Sequence, residues 1–153
     1  MGATRIKIAK DKADLVKDLT KEANGPFHTY ADAIAFAAAL GAKRKKRLTL
    51  NQISKEPGPI DLDIFISRGY DLEIKLIALA ETKEPKMISQ NDEEAEKERI
   101  QIFEEYANGG LEILKEKLRG FPDYTEGLLL ILFSERDKQE QPEEEFDLSR
   151  FLT

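Results

Sequence analysis

Over Thr4–Ile8 apolar and polar residues alternate, with Ile6 and Ile8 on one side and Arg5 and Lys7 on the other, which predicts a short half-buried strand. The period then lengthens. Leu15, Val16, Leu19 and Ala23 form one stripe of a helix that Asp11 can cap and that Asn24-Gly25-Pro26 ends. Thr29 with Asp32 three residues on is a variant capping box, and Ala31–Leu40 is apolar nearly all round until Gly41, so this second helix is expected to be buried on more than one side and to close at the glycine. Ile60, Leu62, Ile64 and Ile66 alternate with Asp61, Asp63 and Phe65, a pattern that fits a second strand or the start of a helix capped by Asp61 or Asp63.

The second half is helical throughout. Residues 71–83 carry Leu72, Leu76, Leu79 and Ala80 on one face, with Pro85 as the stop. Ile100, Phe103, Ala107, Leu111, Leu114 and Leu118 keep one helical phase across Asn108-Gly109-Gly110, so the helix is expected to run through the glycines, which then admit a close neighbour. A last helix, capped by Thr125, is expected over residues 123–138, buried through its run Leu128–Phe133. The expected fold is therefore mainly α: a helical domain over residues 1–137 with a short N-terminal β-strand, then an acidic tail over 138–153 that ends in Phe146, Leu148, Phe151 and Leu152.

Composition narrows the chemistry. The 153 residues include no cysteine and one histidine, so disulfides, thiolate nucleophiles and Cys/His metal sites are excluded, and a reducing cytoplasmic setting is expected. The longest purely apolar run, Leu128–Phe133, is far shorter than the roughly 20 residues of a membrane span. The opening MGATRIKIAKDK interleaves charge with apolar residues and does not read as a secretory signal, so no membrane partner is expected. His28 stands alone at a helix entry, where a surface or capping role suits it. Asp61, Asp63, Glu73 and Lys75 resemble the residue types of a magnesium-dependent nuclease, but Glu73 and Lys75 fall on different faces of a helix rather than at a strand end. No catalytic residues, metal ligands or cofactors are assigned, and a nuclease stays as the enzymatic alternative.

Charge is unevenly spread. The formal net charge is -6, yet residues 1–55 hold 12 Lys+Arg against 5 Asp+Glu, and the remainder holds 12 against 25. Five consecutive cations, Lys43, Arg44, Lys45, Lys46 and Arg47, follow the alanine-rich helix. Cations at a helix C-terminus complement its dipole, and a run of this length also suits contact with a polyanion. The strand-helix-helix start has the layout of a ribbon-helix-helix module, in which the strand pairs with its copy from a second chain and its outward residues enter the DNA major groove. In that reading the protein is a homo-oligomer, a dimer, that binds duplex DNA through Arg5, Lys7, Thr29 and Lys43–Arg47. The strand's partner could equally be the stretch 60–66 of the same chain. The terminal Phe146, Leu148, Phe151 and Leu152 either pack on their own domain or are captured by another protein.

Three stretches, GPFHTYADAIAFAAALGAKRKKR, GYDLEIKLIALAETKEPKMIS and IQIFEEYANGGLEILKEKLRG followed by DYTEGLLLIL, resemble the DNA phosphorothioation-associated protein 4 family, also called Dnd system-associated protein 4. The resemblance runs over most of residues 5 to 133 and leaves the acidic tail outside. It implies an accessory role, beside other proteins of a prokaryotic system that replaces a phosphate oxygen of DNA by sulfur and restricts unmarked DNA. It carries no catalytic residues over to this chain. Without cysteine the chain cannot itself relay a persulfide. The expected function is a non-enzymatic accessory that binds DNA, with a DNA-free protein adaptor as the alternative.

Overall fold

The computed structural model describes residues 4–22 and 25–139. Within them lie β1 (Arg5–Ile6), α1 (Ala13–Leu19), α2 (Tyr30–Lys43), β2 (Ile60–Asp61), α3 (Leu62–Ser67), α4 (Asp71–Thr82), α5 (Glu93–Lys117) and α6 (Tyr124–Gln139). The molecule is mainly α, as the periodicity predicts.

The centre is the packing of α2 on α5. α5 runs unbroken through Asn108-Gly109-Gly110, as its apolar phase requires. Its glycines sit where α2 comes closest. A Cβ on Gly110 would overlap the Ala37 carbonyl, one on Gly109 the Lys46 carbonyl, and one on Gly41 the Tyr106 carbonyl. Gly41 therefore does not end α2, which continues to Lys43; it lets the helix backbones touch. Around this contact Ile34, Ala37, Ala38, Phe103, Ala107, Leu111 and Leu114 form the main core, joined by Ile6 and Ile8 from the strand segment and Val16 and Leu19 from α1. A smaller cluster of Ala78, Met87, Ala95, Ile102 and Tyr106 joins α4 to the other flank of α5.

Thr29 caps α2 by accepting the Asp32 amide (3.1 Å), as the capping pattern predicts. α1 begins two residues later than expected, after a 3-10 turn over Lys10–Lys12, and Asp11 makes no cap. That turn carries Lys12 inward. Its ammonium, almost wholly buried, donates to Asn108 Oδ1 (3.0 Å) and pairs with Glu112 (2.9 Å), and Asn108 in turn donates to the Leu48 and Thr49 carbonyls. A buried ammonium is tolerable only with this degree of pairing.

The short strand finds its partner in its own chain. Arg5 lies opposite Asp61 and Ile6 opposite Ile60, antiparallel, and the ladder is prolonged by bonds from Leu62 N to Thr4 O, Ser54 N to Ile8 O and Lys10 N to Gln52 O. On its other edge the Lys7 amide donates to Glu104 of α5 (2.5 Å). The intrachain alternative thus accounts for the strand.

Three expectations about faces change. After Asp61 the alternating stretch becomes α3, with Phe65 buried and Ile64 and Ile66 exposed. On α4 the inward residues are Ile74 and Ala78, while Leu72 and Leu76 are exposed. On α6 Leu128 and Ile131 are buried, but Leu129, Leu130, Leu132 and Phe133 are not, and the amide of Thr125 is bonded by Asp123. Both α4 and α6 carry two apolar stripes, and periodicity alone cannot say which one meets the core.

Candidate interaction surfaces

The basic run is first of all the end of a helix. Lys43 closes α2, Arg44 is its C-cap, and Lys45 takes the left-handed conformation (φ 54). The Lys46 amide then bonds the Gly41 carbonyl (2.8 Å) and the Lys45 amide the Ala42 carbonyl (3.2 Å), the double bond pattern of a Schellman motif. This turn gives the five side chains different fates.

Lys43 and Arg44 converge on Glu135 of α6. Lys43 Nζ lies 3.0 Å from Glu135 Oε2, and Arg44 makes a close pair with Oε1. Burial raises the affinity of the Glu135 carboxyl for a proton, but the bonds from Arg44 and Lys43 outweigh it and hold the group below its ordinary value. Arg47 turns to α5 and α4, with Nε 2.7 Å from Glu105 Oε1 and Nη1 3.6 Å from Glu81 Oε1. Glu81 also accepts from the Tyr106 hydroxyl. Lys45 is exposed and has no acid in pairing distance among the described residues, while Lys46 has its main chain against Gly109. Three of the five cations are thus paired with carboxylates of α4, α5 and α6.

The remaining residues proposed for DNA contact lie elsewhere. Arg5 pairs with Asp61 across the strands (3.0 Å), both half-exposed. Arg5 and Thr29 share a groove of about 600 Å³ at the N-terminal end of α2. The basic run sits at the opposite end of that 14-residue helix, about 20 Å away at 1.5 Å per residue. Lys7 faces a different groove, of about 370 Å³, beside Lys97, Glu104 and Glu105. The structure therefore does not bring these cations into one patch. Phe146, Leu148, Phe151 and Leu152 fall outside the described residues.

At the entry to α2 lies a compact polar knot. Asp32 accepts two bonds from Arg68 (2.8 and 2.7 Å) and one from the Tyr70 hydroxyl (2.6 Å). The Arg68 guanidinium foremost, with help from Tyr70, holds the Asp32 carboxyl at about 2.

The acids of the nuclease alternative are not assembled. Asp61 is engaged by Arg5, Asp63 is exposed, and Glu73 is partly buried on α4, where burial pushes its carboxyl up to about 7 and leaves Oε2 without a hydrogen-bond partner. Among the described residues no group of acids or histidine is placed to hold a metal ion, and no helix is long and apolar enough to cross a membrane.

What the surface does offer is apolar. Leu72 (64% exposed) and Leu76 mark α4, and Leu129, Leu130, Leu132 and Phe133 (55%) mark α6. The signal for α6 was present in the sequence, because a helix apolar on all sides needs cover on all sides. The counter-ions Glu81, Glu105 and Glu135 had no such signal, since they stand 34 to 88 residues beyond Arg47, the end of the basic run.

A helical protein built on one glycine-mediated helix pair, with no assembled catalytic group among its described residues, is the class this arrangement defines. The chain belongs to the DNA sulphur modification system-associated protein 4 family, whose pattern it matches over residues 5–151. That match extends past residue 133 and takes in the acidic tail, which the resemblance in the sequence had left out. No curated protein and no solved structure matches the chain. Family membership supports an accessory role in a DNA sulphur modification system.

Proposed function

We propose that this protein is a non-enzymatic adaptor that serves the sulphur modification system through contacts with its other proteins, with duplex DNA at most a minor partner. The observation that carries the reading is the pairing of Lys43, Arg44 and Arg47 with carboxylates of the same chain. Glu135 is only 6% exposed. Moving Lys43 and Arg44 onto phosphate would take both cations from a carboxylate that is almost wholly buried, and a surface phosphate contact returns little. Leu72, Leu76 and the outer side of α6 supply instead the apolar contact area that protein partners use. Because β1 is satisfied within the chain, this role requires no strand-paired dimer.

Co-purification of the full chain with the other proteins of its system, with and without nuclease treatment, tests the reading. An adaptor remains bound after nuclease treatment and in raised salt. Loss of the partners once DNA is digested would overturn it.

A further inference from the structure

α6 presents a face that its own fold leaves open. Beneath Leu130, a groove of about 210 Å³ is floored by Phe121, Leu130 and Ile131 and flanked by Ser134, with Arg44 and Lys117 at its rim. Lys43 and Arg44, two cations, share the one carboxylate of Glu135. An apolar floor with a cationic rim fits a segment that carries aromatic and leucine side chains among acids. The chain holds such a segment. Residues 143–152 read EEEFDLSRFL, with four acids next to Phe146, Leu148, Phe151 and Leu152.

We propose that the chain's own terminal segment, residues 146–152, docks in this groove and over the outer side of α6, with Asp147 and the glutamates just before the segment toward Arg44 and Lys117. The connection is long enough. Leu130 lies nine residues before Gln139, about 14 Å back along the helix. The six residues 140–145 span up to about 20 Å when extended. A tether of this length holds the segment at an effective concentration on the order of millimolar, far above that of a second copy in dilute solution. The match to the family runs through Phe151, so the segment belongs to the unit the family describes. The inference bears on the adaptor reading: with the segment docked, a partner reaches the outer side of α6 only by displacing it, while Leu72 and Leu76 of α4 stay exposed.

Hydrogen exchange at millisecond labelling times on the full chain, with its mass measured at the same concentrations, tests the proposal. Amides of residues 146–152 should exchange roughly tenfold or more slower than in a free peptide of the same sequence, independently of concentration and at monomer mass. Leu130→Glu should abolish the protection, and so should Phe146→Ser combined with Phe151→Ser. Leu130 is 52% exposed, so its replacement leaves the core intact. Free-peptide exchange rates in the unaltered chain would overturn the proposal. Protection that survives Leu130→Glu would overturn the groove as its site. Protection that appears only as the mass doubles would assign the groove to a second copy.

Discussion

Substituting Gly110 by alanine tests the helix pair on which the fold depends. In an exposed helix the change would be favourable by about 1 kcal/mol, because alanine is the better helix former. Here the added Cβ would stand 2.5 Å from the Ala37 carbonyl carbon and 3.0 Å from its Cα. Carbon atoms in good contact lie about 3.5–4.0 Å apart, so α2 and α5 must separate by on the order of 1 Å. The obstacle is backbone and has no rotamer by which to move aside. Overpacking a close-packed core usually costs about 1–3 kcal/mol, and a backbone clash belongs at or above the top of that range, which leaves a net loss of about 2–3 kcal/mol after the helix gain. For a chain of this size that is a fall in Tm of roughly 5–10 °C. Gly127→Ala is the control, because the nearest atoms to its Cβ are the ends of the Leu118 and Phe121 side chains, which can shift, so its loss should be much smaller. Thermal unfolding followed by circular dichroism measures both. A Gly110→Ala protein as stable as the parent would refute the proposed contact between the helices.

Two further substitutions probe the ends and sides of these helices. Lys45→Gly relieves a side chain held at φ 54 in the cap of α2, and unfolding should show a gain of about 0.5–1 kcal/mol; no gain would mean that the cap is not formed. Glu73 ionises at about 7 in the folded chain against an ordinary value of 4.5, so its contribution is fully present below pH 4.5 and is lost as pH rises through 7. Glu73→Gln should therefore be close to neutral at pH 5 and stabilising at pH 8. The gain should be about 1–2 kcal/mol, well below the full linkage value because part of the carboxyl meets solvent. An equal effect at both pH values would show that Glu73 is not buried as described.

Much of this fold is legible in the sequence because it follows from local rules. Thr29 and Asp32 announce the start of α2, and the phase kept from Ile100 to Leu118 carries α5 through its two glycines. The reading stays open, or fails, where one stretch satisfies two rules at once. Residues 60–66 alternate like a strand, but once β2 has paired with β1 the chain gains more by turning Phe65 inward against Phe103, 5.6 Å between ring centroids, and α3 forms. Gly41 looks like a helix stop, and only tertiary packing reveals it as the point where Tyr106 approaches. The basic run is the sharper lesson. Five adjacent cations read as a polyanion site because their counter-ions, Glu81, Glu105 and Glu135, are remote in sequence and become neighbours only when α4, α5 and α6 pack around the end of α2.

The account turns on that pairing, and the salt dependence of duplex DNA binding tests it most directly. If Lys43, Arg44 and Arg47 remain on their own carboxylates, at most Lys45 and Lys46 of the run are available, and log K against log salt should have a slope no steeper than about -2. A slope near -4.5, the value for all five cations on phosphate, would show that the chain gives up its internal pairs to DNA and would contradict the account.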